Sequence, residues 1–246
     1  MNHISYQLYC SRNFPPLLDV CRMLAAAGYK EVEGYRGLFD DLDGVKSALA
    51  ETGLTMSSCH IGLDVIQNDP KLVLDLAAAV GMKKVFIPFL AQEDRPSDSD
   101  GWKALSAQAF EAAKPLKDAG LGFGWHNHEF EFVATPQGDL PNDLIADAGI
   151  DLELDVGWVV RAGQDPVSTI NRYGEKVIAA HIKDIAPAGE CVDEDGWADV
   201  GHGVIDWAGI HAALQSAGCD HYVIEHDNPS DHKRFAERSL ASVQNF

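Results

Sequence analysis

Gly120-Leu-Gly-Phe-Gly-Trp-His-Asn-His-Glu129 carries the pattern from which the fold can be read. A helical stretch stops at a glycine, and the short apolar strand Phe123-Gly-Trp125 follows. Imidazoles and a carboxylate then stand where the strand ends. Glycine closes a helix readily because it enters the left-handed conformation without a Cβ penalty. The same junction recurs at Gly28 before Glu31-Val-Glu-Gly34, Gly53 before Thr55-Met-Ser-Ser-Cys59 and Gly81 before Val85-Phe-Ile-Pro88. It returns at Gly149 before Leu152-Glu-Leu154, Gly174 before Val177-Ile-Ala-Ala180 and Gly218 before Tyr222-Val-Ile224. With an opening strand at Ile4–Tyr9, the pattern predicts eight strands.

Strands that alternate with helices imply parallel pairing and right-handed crossovers. Eight of them in 246 residues match the size of a (β/α)8 barrel. The expected fold class is therefore α/β, a single TIM barrel forming one domain over 1–246. A doubly wound open sheet is the alternative, but its glycine-rich nucleotide turn is not matched by Tyr9-Cys-Ser-Arg-Asn13. The acidic stretch 186–207, with two tryptophans and His202, follows the seventh strand and is expected to form a lid. A last helix around 231–243 should close the barrel.

Composition narrows the function. The formal net charge of −19 repels phosphate backbones and anionic lipid surfaces, so neither nucleic acid nor membrane is expected as a partner. With no evident cluster of Lys and Arg, a neutral sugar or polyol fits better than a bisphosphate. No apolar run reaches the roughly 20 residues that span a bilayer. Met-Asn-His-Ile-Ser-Tyr lacks the basic and apolar regions of a secretory signal. Five scattered cysteines without a CxxC pair read as reduced thiols. A cytoplasmic protein is expected, with Cys59 of interest because it adjoins His60.

The strand ends hold the chemistry. Trp125-His-Asn-His-Glu129, Glu153-Leu-Asp-Val156, His181-Ile-Lys-Asp184 and Ile224-Glu-His-Asp227 each place imidazoles or carboxylates after an apolar run. In a parallel barrel those ends converge on one face. A buried carboxylate is costly unless paired or metal-bound, which marks Asp155, although it could equally cap the following helix. His181 reads as a ligand and Glu225 as a ligand that could also exchange a proton. A salt bridge from Glu225 to Lys183 or Arg12 is the plainer alternative. His126 and His128 share a face if the fifth strand stays regular. His126 is favoured for metal and His128 for proton transfer, with the reverse assignment, or Glu129 carried inward by a bulge, left open. His60, Glu33, Trp158, Lys183 and His202 are weaker candidates for the pocket: Trp158 as a wall for a sugar ring, Lys183 to steady an oxyanion.

A donor set of imidazole and carboxylate without thiolate suits one divalent ion, Mn2+, Co2+, Zn2+ or Fe2+. Such an ion polarises a carbonyl and its neighbouring hydroxyl, easing removal of the intervening proton to an enediolate. Aldose–ketose isomerisation, epimerisation next to a ketone and β-elimination all begin this way.

At these residues the chain resembles the xylose-isomerase-like TIM-barrel superfamily, in particular the sugar-phosphate isomerase/epimerase family. The blocks that carry the resemblance are Trp125–Phe132, Leu154–Trp158, His181–Asp184, Val200–Trp207 and Val223–Asp227. It implies one divalent ion on a Glu, Asp, His, Glu set, with the two glutamates handling protons. Asp155, His181 and Glu225 match the last three, and His126 replaces the first Glu. Trp158 stands where a His commonly follows the Asp motif. These variants look like the branch of inosose dehydratase-like proteins and 3-keto-glycoside enzymes.

The expected function is a metal-dependent sugar isomerase or epimerase. A lyase on the same scaffold, dehydrating a keto-polyol or cleaving a 3-keto-glycoside, is the first alternative. A non-catalytic sugar-binding or partner subunit is the second. AP endonucleases share the superfamily, but the net charge and smaller ligand set argue against that activity. Exposed barrel helices also make a homo-oligomer an expectation.

Overall fold

A computed structural model describes residues 3–246. Met1 and Asn2, the first two residues of the stretch read above for a secretory signal, lie outside the described residues. Seven parallel strands appear in chain order: β1 (His3–Gln7), β2 (Glu31–Tyr35), β3 (Thr55–His60), β4 (Lys84–Ile87), β5 (Gly122–His126), β6 (Asp151–Asp155) and β7 (Val177–Ile182). A two-stranded antiparallel ribbon, β8 (Asp184–Ile185) with β9 (Trp197–Ala198), comes next. The eighth barrel strand, β10 (His221–Ile224), pairs with β7 on one side and β1 on the other, closing the barrel. The TIM-barrel reading holds, strand for strand. Only the first strand is shorter than expected: the Gln7 side chain accepts from Tyr9 N at 3.0 Å and turns Leu8–Ser11 into a 3-10 helix.

Helix ends follow the glycine rule. The helix Leu42–Thr52 stops at Gly53, whose φ of 71° allows its N–H to reach Leu49 O at 2.9 Å. Gly157 serves closeness instead. A Cβ there would lie 2.9 Å from Lys183 O and 3.0 Å from its Cβ, so only glycine lets the helix Val156–Arg161 press onto Lys183.

Alternation along each strand separates two environments. Leu152 and Leu154 of β6, Tyr222 and Ile224 of β10, and Trp125 of β5 belong to the apolar shell between strands and helices. The neighbours Glu153 and Asp155 belong to a buried polar set with Gln7, Glu33, Ser58, His60, His126 and His181, inside the barrel. Two register shifts fall beside the interior glutamates, between Val32 and Glu33 against β3 and between Leu152 and Glu153 against β7. Each inserts one residue and re-aims the side chains beyond it, as bulges near sites do.

The stretch 186–207 is fastened, not a free lid. Asp184 accepts from the backbone N–H groups of Ile185, Gly201, Gly203 and Ile205 and from Trp207 Nε1, at 2.8–3.2 Å. One buried carboxylate therefore pins the segment at Gly201, Gly203, Ile205 and Trp207, while Trp197 is buried in the ribbon strand paired with β8. The last helix, His232–Val243, lies where the sequence suggested, and Asp231 caps it. Among the described residues no helix is long and apolar enough to cross a membrane.

Candidate metal centre

The C-terminal ends of β5, β6, β7 and β10 bring His126, Asp155, His181 and Glu225 together. Ligand-type atoms of all four lie within 4.8 Å of one another. His181 Nδ1 is 2.9 Å from Glu225 Oε2 and 3.9 Å from Asp155 Oδ2, which is 4.0 Å from His126 Nε2. Asp155 reconciles both readings of its sequence. Its Oδ1 accepts from Trp158 N at 2.8 Å and caps the next helix, while the buried Oδ2 has no hydrogen-bond partner.

A second quartet lies directly beneath. His60, Glu153, His126 and His181 again place ligand-type atoms within 4.8 Å. Glu153 Oε2 is 2.6 Å from His60 Nε2, 3.1 Å from His181 Nε2 and 3.4 Å from His126 Nδ1. Glu33 Oε1 joins at 2.8 Å from His181 Nε2 and 3.2 Å from His60 Nε2. His126 and His181 therefore stand between two layers, one ring nitrogen facing each. If the lower nitrogens carry protons toward Glu153 and Glu33, the upper ones offer lone pairs to an ion. Carboxylates behind ligating histidines orient metal sites in this way.

Electrostatics set the charge states. Burial and the cationic His181 and His60 hold His126 well below the usual histidine range, so it stays neutral. Burial raises the Asp155 pKa to about 7 although Lys183 pulls it down. Burial also opposes charge on Glu225, but Lys183 and His181 outweigh it and keep Glu225 ionised. For His60, the carboxylates of Glu33 and Glu153 overcome burial and raise its pKa to about 9. Glu33 is held low against burial by His60 and His181. Five carboxylates (Glu33, Glu153, Asp155, Glu225, Asp227) thus crowd around one lysine and three histidines.

The upper quartet fits a divalent ion. Two ligands on one ion at bond lengths of roughly 2.0–2.2 Å are no more than about 4.4 Å apart. The His126–Asp155, His181–Asp155 and His181–Glu225 separations of 2.9–4.0 Å satisfy that limit, and all four ligand atoms lie within 4.8 Å of one another. A neutral imidazole beside a buried carboxylate oxygen without a hydrogen bond is the donor chemistry an ion needs.

A cavity of about 690 Å³ opens above, and His60, His126, His128 and Glu225 line it. His128 does not share a strand face with His126, because β5 ends at His126. Asn127 turns to clamp β6 instead, accepting from Asp155 N at 2.9 Å and donating to Asp155 O at 3.3 Å. Buried Glu131 then accepts from Trp125 Nε1 at 3.0 Å and His128 N at 2.8 Å, holding the turn that presents His128 to the wall. Burial raises the Glu131 pKa to about 8. Burial and Lys183 lower that of His128 to about 3. Glu129 is exposed and lines the cavity; no bulge carries it into the quartet.

The weaker candidates divide. Trp158 is half-buried and lines the cavity, its ring 5.2 Å from that of His128. Lys183 is fully buried and pairs with Asp227 at 2.7 Å, Glu225 at 3.2 Å and Asp155 at 3.7 Å. Arg12 is not paired with Glu225; it donates to Tyr9 O and Asp227 O. His202 sits exposed on its loop, apart from the cavity lining. Cys59 is buried in the outer apolar shell, and burial and Glu33 push its thiol pKa up, which leaves it inert. Sequence reasoning missed Glu153 and Glu131. The signal for Glu153 was its spacing of two from Asp155, which puts both on one face of a strand.

Comparison with known proteins agrees with the barrel fold. Residues 21–245 match the family model described as xylose isomerase-like TIM barrel. An inosose dehydratase from Lacticaseibacillus casei is 26% identical over 177 residues, covering 63% of this chain and 59% of that protein. The chain thus spans under two thirds of that relative. A sugar phosphate isomerase/epimerase from Parabacteroides distasonis superposes with a TM-score of 0.82 at 23% identity, over 99% of this chain and 93% of the other. The IOLI protein, solved with a binding zinc atom, superposes with a TM-score of 0.74 at 17% identity, over 100% and 96%. At such identities the two structures speak for the fold alone.

Proposed function

Because the chain belongs to the xylose isomerase-like TIM barrel family, we propose that it is a divalent-metal-dependent enzyme that isomerises or epimerises a keto-sugar or an aldose/ketose pair. The observation that carries the reading is the fully buried Asp155 Oδ2, which has no hydrogen-bond partner, lies 3.7 Å from Lys183 Nζ and faces His126 and His181 under an open cavity. His126, Asp155, His181 and Glu225 would hold Mn2+, Co2+, Zn2+ or Fe2+. When bound, the ion supplies Lewis-acid polarisation of a substrate carbonyl and its neighbouring hydroxyl.

The chain's own residues do the rest. Glu225 lines the cavity and stays ionised beside Lys183, so it is the base for a proton next to the carbonyl. His128 is neutral at pH 7; its low pKa makes it first a hydrogen-bond partner for a substrate hydroxyl and second a proton carrier. His60 and Trp158 supply further contacts, and the buried Lys183 holds the carboxylates of Glu225 and Asp155 in place.

The inosose dehydratase relative favours a second reading, a lyase. It needs the same proton removal, after which the group on the β-carbon leaves as water or an aglycone.

Metal analysis by mass spectrometry on wild type and Asp155→Ala tests the reading. One ion per chain in wild type and none in the variant is the expected result. Metal in neither, after reconstitution, would refute the mechanism. Product mass and solvent-deuterium incorporation then separate isomerase from lyase.

A further inference from the structure

We propose that the outer part of the cavity is a subsite for a planar aryl group bearing oxygen acceptors, carried on the sugar whose reacting end occupies the floor. The inference rests on the proposed function for the floor alone.

Three observations carry it. First, the cavity volume of about 690 Å³ falls in the range of pockets that enclose drug-sized ligands, roughly 300–1,000 Å³. A lone monosaccharide leaves the outer part unfilled.

Second, the cavity changes chemistry with depth. The floor is imidazole and carboxylate, while the wall above it carries the rings of Tyr9, Tyr35, Phe89 and Phe130. Among the described residues only two aromatic side chains count as exposed large hydrophobics, Phe89 at 49% and Tyr9 at 41%, and both line this cavity. Tyr9 stands edge-on to Tyr35 at 5.3 Å, and Phe89 to Phe130 at 6.0 Å. Apolar surface left open beside polar chemistry marks a place where something docks.

Third, two arginines stack on these rings and pair with no carboxylate among the described residues. Arg12 lies 4.1 Å from the Tyr9 ring centre and Arg95 lies 3.5 Å from that of Phe130. Their hydrogen bonds go to backbone carbonyls, of Tyr9 and Asp227 for Arg12 and of Leu90 for Arg95. In a chain of net charge −19 that placement is selective.

Together these features decide between an aryl group and a second sugar. Above the metal-site residues, His128 and Trp158, the remaining polar side chains of the wall are Glu129, Asp227 already paired with Lys183, the tyrosine hydroxyls and three arginines, which only donate. A second sugar would bury hydroxyl hydrogens with few acceptors. An aryl group with oxygen substituents needs ring faces and donors, and finds both.

Calorimetric titration of methyl β-D-glucopyranoside, cellobiose and 4-nitrophenyl β-D-glucopyranoside into metal-loaded and metal-stripped protein tests the proposal. The aryl glycoside should bind roughly tenfold tighter than either comparator, the gain expected from stacking and area on two rings. Phe89→Ala and Tyr9→Ala, both at exposed positions, should each lower that ratio, and the double variant should bring it near one. An aryl ligand no tighter than the methyl glycoside, including detectable binding of neither, overturns the proposal. So does cellobiose equal to the aryl ligand, or an advantage that survives the double variant. A retained aryl advantage in a protein that takes up no metal would refute the metal reading and leave this one standing.

Discussion

The two faces of β6 differ more than any two regions far apart in the chain. Leu152 and Leu154 turn outward into an apolar shell of Val, Ile, Leu and aromatic side chains. Glu153 and Asp155, one residue removed from each, turn inward to the histidines and glutamates of the barrel axis. The outer shell stabilises by burial, on the order of 25 cal/mol per Å² of apolar surface. The interior does the reverse: five carboxylates around one lysine and three histidines oppose folding unless protons or a cation compensate them. Stability and chemistry are thus divided between alternate residues of the same strands, and a substitution on one face should leave the other largely intact.

The sharpest way to break that division is Glu225→Gln. Turnover should fall by about 10²–10⁴, the usual contribution of a positioned acid or base, with little change in melting temperature. A loss of folding in parallel would show that the interior charges also hold the barrel together. On the opposite face, Leu154→Ala should cost about 2–5 kcal/mol in denaturant unfolding. The folded fraction should keep its metal affinity. Loss of metal there would mean that the two faces are coupled.

Glu153→Gln sharpens the comparison within the interior. It leaves the upper quartet whole but removes the carboxylate that faces both shared histidines, so metal affinity by chelator competition should fall about 10–100-fold. An unchanged affinity would make Glu153 a bystander. The smallest effect concerns pH. His60 has a folded pKa of about 9, raised above its unfolded value of about 6.5 despite burial, by Glu33 and Glu153. Its contribution to stability is fully present below pH 6.5 and is lost as pH rises through 9. The melting temperature of metal-free protein should therefore decline across that window, and His60→Gln should flatten the decline.

Much of this was legible in the chain because its signals are local. A glycine after a helix, an apolar run of four or five residues and a polar strand end need no distant partner to be recognised. His126, Asp155, His181 and Glu225 stood out as polar side chains where apolar ones belong. Glu153 did not, because its flanking leucines make the segment read as a uniformly apolar strand. The turn after His126 was misread for a related reason: Asn127 and Glu131 break the strand through bonds to Asp155 and Trp125, which no periodicity announces. The segment 186–207 looked like a lid because its fastener, Asp184, acts through backbone N–H groups up to 21 residues away.

The sequence by itself therefore determined the barrel and which strand ends would carry imidazole and carboxylate, since backbone preference and alternation act over a few residues. The tertiary structure alone decided that two quartets stack on shared histidines, that Lys183 is buried against Asp155, Glu225 and Asp227, and that an aromatic wall rises above the quartets. Those facts depend on barrel closure and on two register shifts, which bring together groups as far apart in the chain as His181 and Glu33, 148 residues, in one hydrogen bond. Charge and hydrogen bonding act over a few ångströms of space, whatever the distance along the chain.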